Sequence, residues 1–331
     1  MTIAPEMHIT HDIRSKDIKQ EATRAGFGRG LLAAGQIDKN IVAACADLTD
    51  STKMNLFAEA FPDRFIEMGI AEQNLVTVGA GLTIGGKIPF VSSYAAFSPG
   101  RNWEQIRTTI CLNDRPVKIV GSHAGVSVGP DGATHQMLED LALMRALPNM
   151  VVIAPCDSVE AEKATLAMAV DPRPNYMRLA RENTPVFTTK DTPFEIGKAY
   201  VFAKGTDVTL IATGTMTYQA MVAADILKKD GISAEVVHVP TVKPLDTKTI
   251  LASVEKTGCV VTAEEAQING GLGGAIAELL SEELPTPMIR IGMQDRFGES
   301  GKPEELLEHF GLTGTHIAMA AHQLKSTTPT V

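Results

Sequence analysis

The segment between positions 122 and 136 holds the densest group of side chains that could take part in chemistry. Two imidazoles and one carboxylate, from His123, Asp131 and His135, are spread through a glycine-rich stretch. These groups hydrogen-bond hydroxyls and transfer protons near neutral pH, so the combination suits a polyhydroxylated substrate. A loop held by its own hydrogen bonds is the alternative interpretation. The spacing of twelve between the histidines fits no standard metal site.

A second candidate is Glu72, which opens an apolar segment predicted to be a helix over 71–84. This helix has apolar or small residues on nearly every side, so we expect it to be buried. Its first-turn carboxylate would then lie beside free backbone N–H groups and close to the core, where it needs a partner. An ordinary capping role for Glu72 is the alternative.

Four isolated polar residues could join these groups if the fold brings them together. Arg24 lies in the first predicted helix, Asp47 and Ser51 follow a predicted strand, and Arg181 lies near the end of the first predicted domain. An Arg guanidinium binds phosphate through its planar fork, and a Ser hydroxyl adds a donor. Considered singly, each of the four is a solvated surface residue.

An aromatic cluster at the end of a predicted strand stands out because the chain has only 11 Phe, 4 Tyr and 1 Trp. Its members are Phe90, Tyr94 and Phe97. Filling the core is the default role for any one of them, and packing against a flat ligand is the alternative.

Short apolar runs alternate with segments of helical period along the chain. The predicted strands are 41–46, 88–92, 117–121, 150–155, 208–213, 234–239, 259–263 and 287–291. The predicted helices are 21–35, 71–84, 136–147, 158–170, 217–230, 247–257 and 273–283. This alternation predicts an α/β fold of two domains, each a mostly parallel sheet flanked by helices. Ligands bind beyond the carboxyl ends of such strands, where the loop at 122–136 begins.

We divide the chain into an N-terminal extension (1–19), a first domain (20–184), a linker (185–200) and a second domain (201–331). The linker segment contains prolines and mixed charges without clear periodicity. The glycine-rich segment at 269–274 follows a polar stretch, so we predict a turn with close helix packing there instead of a dinucleotide loop. The tail from position 326 is expected to fray.

Composition narrows the class of protein. With 44% hydrophobic and 21% charged residues, the 331-residue chain is neither disordered nor a coiled coil. No stretch approaches the ~20 apolar residues of a membrane span, and the N-terminus lacks an apolar signal core, so we expect a cytoplasmic protein without a membrane partner. The net charge of −9 argues against a nucleic-acid partner. Four separated cysteines predict buried thiols and neither a disulfide framework nor a metal site.

Four segments together resemble, in order and spacing, the C-terminal half of transketolase: the pyrimidine-binding domain and the C-terminal domain of the thiamine diphosphate enzymes. The resemblance extends from about position 20 to 324. The segments are Ala46-Asp47-Leu48-Thr49, Gly69-Ile70-Ala71-Glu72-Gln73-Asn74, Gly129-Pro130-Asp131-Gly132-Ala133-Thr134-His135-Gln136 and Leu179-Ala180-Arg181-Glu182-Asn183.

The resemblance implies a transketolase that moves a two-carbon ketol unit from a ketose phosphate to an aldose phosphate, by default in the pentose phosphate pathway. For the cofactor, it implies that Glu72 contacts the aminopyrimidine as a catalytic group, that Phe97 with Tyr94 or Phe90 packs on that ring, and that Asp47 lines the pocket. For the substrate, it implies that His123, Asp131 and His135 hold the sugar carbonyl and hydroxyls, the two histidines acting as catalytic groups, while Arg24, Ser51 and Arg181 grip the phosphate.

The family's diphosphate-binding domain carries a Gly-Asp-Gly motif that this sequence lacks. The resemblance therefore implies a split enzyme, in which an N-terminal subunit holds the diphosphate and its Mg²⁺ or Ca²⁺. We expect an α2β2 heterotetramer with active sites between unlike chains, and no metal site in this chain.

Three other functions remain open. A 2-oxo acid dehydrogenase β subunit shares the two-domain plan, but Arg24, Arg181 and the histidine loop favour a sugar phosphate. A 1-deoxyxylulose-5-phosphate synthase half is similar around Glu72 and Phe97, although that enzyme normally keeps its domains in one chain. A catalytically silent subunit would be expected to have lost Glu72 or the histidines.

Overall fold

The structure is a computed structural model that describes residues 1–10 and 12–327. From position 328 onward, the tail expected to fray lies outside the described residues, and Ser326 still belongs to the last helix.

The described residues form fifteen strands. They are β1 (Thr2–Ile3), β2 (Gln20–Ala22), β3 (Ile41–Cys45), β4 (Phe65–Glu67), β5 (Ile88–Tyr94), β6 (Lys118–Ser122), β7 (Val151–Ile153), β8 (Asn175–Arg178), β9 (Asn183–Pro185), β10 (Tyr200–Lys204), β11 (Val208–Ala212), β12 (Ala234–His238), β13 (Thr241–Lys243), β14 (Val260–Gln267) and β15 (Met288–Met293).

Eleven α-helices accompany the strands of the described chain. They are α1 (Thr23–Ile37), α2 (Asn55–Ala60), α3 (Glu72–Ile84), α4 (Trp103–Gln105), α5 (Asp140–Arg145), α6 (Ser158–Val170), α7 (Met216–Lys229), α8 (Thr247–Thr257), α9 (Leu272–Glu283), α10 (Pro303–His309) and α11 (Gly314–Thr327). A π-helical segment (Ile106–Cys111) continues α4, and 3-10 segments occur at Pro5–Met7, Pro62–Arg64 and Val126–Asp131.

The first sheet has seven strands in the order β13-β7-β8-β6-β5-β3-β4. Its neighbours within the described chain are parallel, except that β13 runs antiparallel to β7. Every residue of β3 and β6 is buried, as expected for central parallel strands covered by helices on both faces. The carboxyl ends of β3, β5 and β6 therefore lie side by side along one edge of this sheet.

The second sheet has six strands in the order β1-β10-β12-β11-β14-β15. Strands β12, β11, β14 and β15 are parallel, whereas β1 and β10 add two antiparallel strands at one edge. The predicted α/β class, with two mostly parallel sheets flanked by helices, is confirmed. Among the described residues, no helix is long and apolar enough to cross a membrane.

The two halves of the chain exchange strands and share a core. Strand β1, from the N-terminal extension, joins the second sheet, and β13, which follows β12, joins the first. One buried cluster includes Val91 and Ile119 from the first sheet together with Ile211 and Val237 from the second. This shared core packs the two halves of the chain against each other.

Buried hydrogen bonds also connect the two halves of the chain. The Nε2 atom of His238, in β12, lies 2.8 Å from a carboxylate oxygen of Glu160, in α6. Thr217 Oγ1 lies 2.7 Å from the other ring nitrogen of His238, and Cys156 lies close enough to form a group of three potential metal ligands with Glu160 and His238. The four cysteines are buried and free, as predicted.

The glycine-rich segment after β14 is a turn with close packing, as predicted. The polar stretch before it belongs to β14 instead of to a loop, because Glu264 is buried there and accepts the N–H groups of Leu272 and Gly273 at 2.7 Å. Burial raises the pKa of Glu264 to about 7. A side chain at Gly271 would collide with this carboxylate.

Candidate active site

Glu72 is the first residue of α3, and its carboxylate is only 2% exposed. Arg101 Nη1 donates to Glu72 Oε2 at 2.7 Å. The next residue, Asn102, donates its side-chain N–H groups to the Glu72 carbonyl at 2.8 Å and to Ser98 Oγ at 3.1 Å. The start of α3 is therefore held by two consecutive side chains of the segment that follows β5.

Helix α3 is buried on one face only, whereas its composition predicted burial on nearly all sides. Leu75, Val76 and Gly79 face the core, while Thr77 and Ile84 are exposed. Composition alone does not distinguish the exposed face of this helix from the buried one, because apolar or small residues lie on both faces. A cavity of about 400 Å³ lies at its first turns, lined by Ile70, Ala71, Glu72, Gln73, Asn74, Thr77, Arg101 and Gln105.

Four rings meet beyond the carboxyl ends of β5 and β6. Tyr94 stacks on the His123 imidazole with centroids 3.8 Å apart, and Tyr94 and Phe97 are near-parallel at 6.1 Å. His135 meets the Phe97 ring edge-on at 5.4 Å. The fold thus joins two of the predicted aromatic residues with both predicted histidines.

His123 is a buried, neutral imidazole. It adopts the left-handed backbone conformation (φ 57°) directly after β6, and its Nδ1 lies 2.9 Å from Ser122 Oγ. Burial lowers the pKa of His123 to about 3, and the positive charges of Arg24 and Arg181 contribute to the same direction. His123 can therefore donate or accept a hydrogen bond near neutral pH without carrying charge.

The two predicted arginines lie together on the side of His123. Arg24 Nε donates to the carbonyl of Arg181 at 3.0 Å, and its Nη1 donates to the carbonyl of Ser51 at 2.6 Å. Arg181 Nη1 donates to the carbonyl of Val128 at 2.7 Å. Each guanidinium has five N–H donors, so these backbone contacts fix the arginines while leaving donors for an anion.

Asp47 follows β3 in a left-handed conformation (φ 57°), and its side chain is exposed. Its backbone N–H donates to Glu67 Oε1 at 2.7 Å, and the N–H of Gly69 donates to the same oxygen at 3.0 Å. Glu67 Oε2 accepts from Thr49 Oγ1 at 2.9 Å. Glu67, at the end of β4, thereby joins the loop of Asp47 to the turn that leads into Glu72.

Asp131 is exposed at the end of the 3-10 segment Val126–Asp131. The loop that carries it is fixed from inside by Gln136, whose amide donates to the carbonyls of Val126 and Glu299 at 3.0 and 2.8 Å. Glu265, from β14, accepts the Ser127 N–H at 2.7 Å. The second sheet therefore buttresses this loop, a role that the sequence did not indicate.

Phe90 lies apart from the other aromatic residues. It is fully buried in β5 and packs in the core cluster that contains Phe27, Ile41 and Met177. Tyr94 and Phe97 come at and after the end of the strand, where they reach the loops. Of the alternative partners for Phe97, the structure brings Tyr94 to the ring cluster and not Phe90.

Three residues of this region were missed from the sequence: Arg101, Glu67 and Glu265. Arg101 had one available signal, since it lies four positions after Phe97 and could fold back along one helical turn. Glu67 reaches the loop of Asp47 and Glu265 reaches Ser127, both of which are distant in sequence, and no local pattern marks such contacts.

Comparison with known proteins gives two family matches. The family described as "Transketolase, pyrimidine binding domain" matches residues 19–186, and "Transketolase, C-terminal domain" matches residues 197–317. Both matches agree with the resemblance drawn from the four sequence segments.

Individual relatives and a solved structure agree with these matches. A "Putative transketolase C-terminal section" of Methanocaldococcus jannaschii is 46% identical over 298 residues, which cover 89% of this chain and 93% of that protein. A 6-deoxy-6-sulfo-D-fructose transketolase subunit of Clostridium sp. is 42% identical over 294 residues, covering 89% and 91%. The structure described as "Split gene transketolase, inactive beta4 tetramer" matches with a TM-score of 0.87 at 46% identity, covering 93% of this chain and 99% of that one. The chain therefore belongs to the transketolase family and corresponds to its pyrimidine-binding and C-terminal domains.

Proposed function

We propose that this chain is the C-terminal subunit of a split transketolase, which moves a two-carbon ketol unit from a ketose phosphate to an aldose phosphate. The carrying observation is the buried Glu72 carboxylate, which lines a cavity and is bonded by Arg101. Arg101 also contacts Phe97, which belongs to the ring cluster with Tyr94, His123 and His135. A buried carboxyl group fits a heterocyclic nitrogen when one proton is shared between the two, and flat side chains fit the faces of that ring. When bound, thiamine diphosphate supplies the chemistry that breaks and forms the carbon–carbon bond.

On the cofactor side, Glu72 holds the ring nitrogen of the aminopyrimidine, and Phe97 with Tyr94 packs against the ring. Asp47 lines the pocket from the loop after β3. The Glu67 contacts support this assignment, because they hold the Asp47 loop beside the turn that precedes Glu72.

On the substrate side, the neutral His123 and the half-buried His135 bond the sugar carbonyl and hydroxyls and move protons at those oxygens. Asp131 bonds a hydroxyl from the exposed end of the loop. Arg24, Arg181 and Ser51 hold the phosphate. This assignment of the phosphate site is supported by the hydrogen bonds of Arg24 to the carbonyls of both Arg181 and Ser51, which bring the three residues together.

The diphosphate and its Mg²⁺ or Ca²⁺ are held by an N-terminal partner subunit in an α2β2 heterotetramer. The missing Gly-Asp-Gly motif supports this assignment. So does the exposure of Ile70, Ile84 and Leu112, three large apolar side chains around α3 and the π-helical segment that packs on it. A partner surface that covers them would also close the cavity at Glu72.

We propose that the preferred sugars are pentose phosphates of the pentose phosphate pathway, because these are the default substrates of the family. A guanidinium pair also binds a sulfonate, and one relative is a 6-deoxy-6-sulfo-D-fructose transketolase subunit. The first substrates tested should therefore include both phosphorylated and sulfonated sugars.

The test is to purify the chain with a candidate diphosphate-binding subunit and to measure glycolaldehyde transfer from xylulose 5-phosphate to ribose 5-phosphate. Pyruvate decarboxylation in the same preparation tests the 2-oxo acid dehydrogenase alternative. Replacing Glu72 with Gln should remove most transfer, whereas Glu283→Gln, at an exposed acid of α9, should not change it. Full turnover by this chain alone, or by the assembled Glu72→Gln protein, contradicts the proposal.

A further inference from the structure

Arg101 joins the two groups between which the proposed function places the cofactor ring. Its guanidinium donates to Glu72 Oε2 at 2.7 Å, and its Cζ lies 4.8 Å from the centroid of the Phe97 ring. Glu72 is 2% exposed, whereas the Arg101 side chain is 49% exposed. A buried acid and a half-buried aromatic ring are thus linked through one cation.

The local backbone explains how one side chain reaches both groups. The N–H of Arg101 donates to the carbonyl of Phe97 at 3.0 Å, which is one helical turn. Residues four apart on a turn lie on the same face, so the guanidinium returns over the Phe97 ring. Asn102 then bonds the carbonyl of Glu72, which fixes the turn against the start of α3.

The contact leaves a defined part of the carboxylate for another ligand. The ion pair engages Oε2 of Glu72 and restrains the rotation of the carboxylate plane. Cation–π contact with Phe97 restrains the ring whose face the cofactor would cover. Both restraints would lower the ordering cost of binding a flat heterocycle.

We propose that Arg101 is a positioning residue of the cofactor site: it holds Glu72 by one oxygen, so that the other is presented to the pyrimidine ring. This inference rests on the proposed function of Glu72. It also separates Arg101 from the substrate residues, because Arg24 and Arg181 hold other backbone carbonyls on the His123 side.

The test is a double-mutant cycle on the enzyme assembled with its partner subunit. Thiamine diphosphate with Mg²⁺ is titrated, and its Kd is measured by isothermal titration calorimetry. Arg101→Met keeps the apolar stem and should raise Kd about tenfold, the effect of losing one charged hydrogen bond. In the Glu72→Gln background the same change should alter Kd less than about twofold, because the coupled partner is gone.

Two controls make the result specific. Arg14→Met, at an exposed arginine that pairs with Asp225 of α7, should leave Kd unchanged. Arg101→Lys should recover part of the loss, and the KM for ketose phosphate should stay within about twofold of wild type in every Arg101 variant.

The outcomes separate the inference from the function. A tighter Kd in Arg101→Met would mean that the side chain blocks the site, and equal effects in both backgrounds would mean that it does not act through Glu72; either result overturns the proposal. If Glu72→Gln itself leaves Kd and turnover unchanged, the proposed function fails first.

Discussion

The Tyr94 ring stacks on the imidazole of His123, with centroids 3.8 Å apart and 24° between the planes. Tyr94 ends β5, and His123 follows β6, so the contact joins the ends of two adjacent parallel strands. The same ring lies 6.1 Å from Phe97. Tyr94 therefore connects the ring proposed for the cofactor with the imidazole proposed for the substrate.

Shortening Tyr94 should disturb His123 more than removing its hydroxyl does. We expect Tyr94→Phe to keep turnover within about twofold and Tyr94→Ala to lower kcat about tenfold, since a stacked pair contributes ~0.5–1.5 kcal/mol beyond its buried area. Steady-state kinetics of the assembled enzyme measure this difference. Equal activity of the two variants would show that the stacking does not orient the imidazole.

His123 should make the protein less stable in acid. Its folded pKa is about 3, whereas an unfolded imidazole has a pKa near 6.5, so the unfolded chain binds more protons between these values. Stability from this site is complete above about pH 6.5 and falls as the pH falls toward 3.

Urea unfolding of wild type and His123→Gln at about pH 6.5 and 5 measures the effect. The free energy of unfolding of wild type should fall by about 1.5 kcal/mol more than that of the variant, because the unfolded imidazole is half protonated at pH 6.5 and almost fully protonated at pH 5. Identical losses in the two proteins would contradict a depressed pKa at His123.

Arg181 should act on the charged end of the substrate. Arg181→Met is expected to raise the KM for ketose phosphate about 10- to 100-fold, because a hydrogen bond to a charged group contributes ~1.5–3 kcal/mol. The KM for an unphosphorylated ketose should change much less. The exposed Lys190→Met serves as control, and an equal loss for both substrates would instead indicate damage to the loop at Val128.

Glu265 should support the histidine loop from the second sheet. Its Oε1 accepts the Ser127 N–H at 2.7 Å, and its Oε2 accepts from Thr215 Oγ1 at 3.1 Å. Glu265→Ala leaves a buried N–H without a partner, which costs ~1–3 kcal/mol. We expect a lower Tm and a kcat reduced about tenfold, while Glu265→Gln, which keeps an acceptor, loses less.

Glu278→Ala is the matched control for this pair of variants. It removes an exposed acid that pairs with Arg145 on the surface, and such pairs contribute little. If Glu278→Ala and Glu265→Ala lower Tm and kcat alike, the loop does not depend on the buried acceptor.

The parallel strands could be predicted because they are continuous apolar runs, and β3, β5, β6 and β11 appear where those runs occur. Strand β8 was missed since only its middle residues are apolar. Its Asn175 and Arg178 are accommodated by Lys118 and Asp140, which lie far away in sequence. Apolar periodicity does not detect a strand whose polar ends are paired through the fold.

The candidate site was predicted less evenly than the fold. The alternation of a strand places Phe90 and Tyr94 on the same face, but four residues separate them by about 13 Å, so Phe90 lies inside the core while Tyr94 reaches the edge.

The first predicted helix begins at Thr23 because Gln20–Ala22 pairs with Asn183–Pro185 instead. The helix predicted from 136 begins at Asp140, because Met137 is bridged to Ala124 in the loop.

Strands β1 and β13 make the two halves of the chain mutually dependent. Each borrows the edge of a sheet whose other strands come from the opposite side of the 185–200 segment. If the chain were cut at that segment, the sheet of each half would lose one edge strand. The backbone groups left unpaired at that edge could then pair with another copy of the chain. Recombination between homologous subunits should therefore tolerate swaps of the whole chain far better than crossovers at its midpoint.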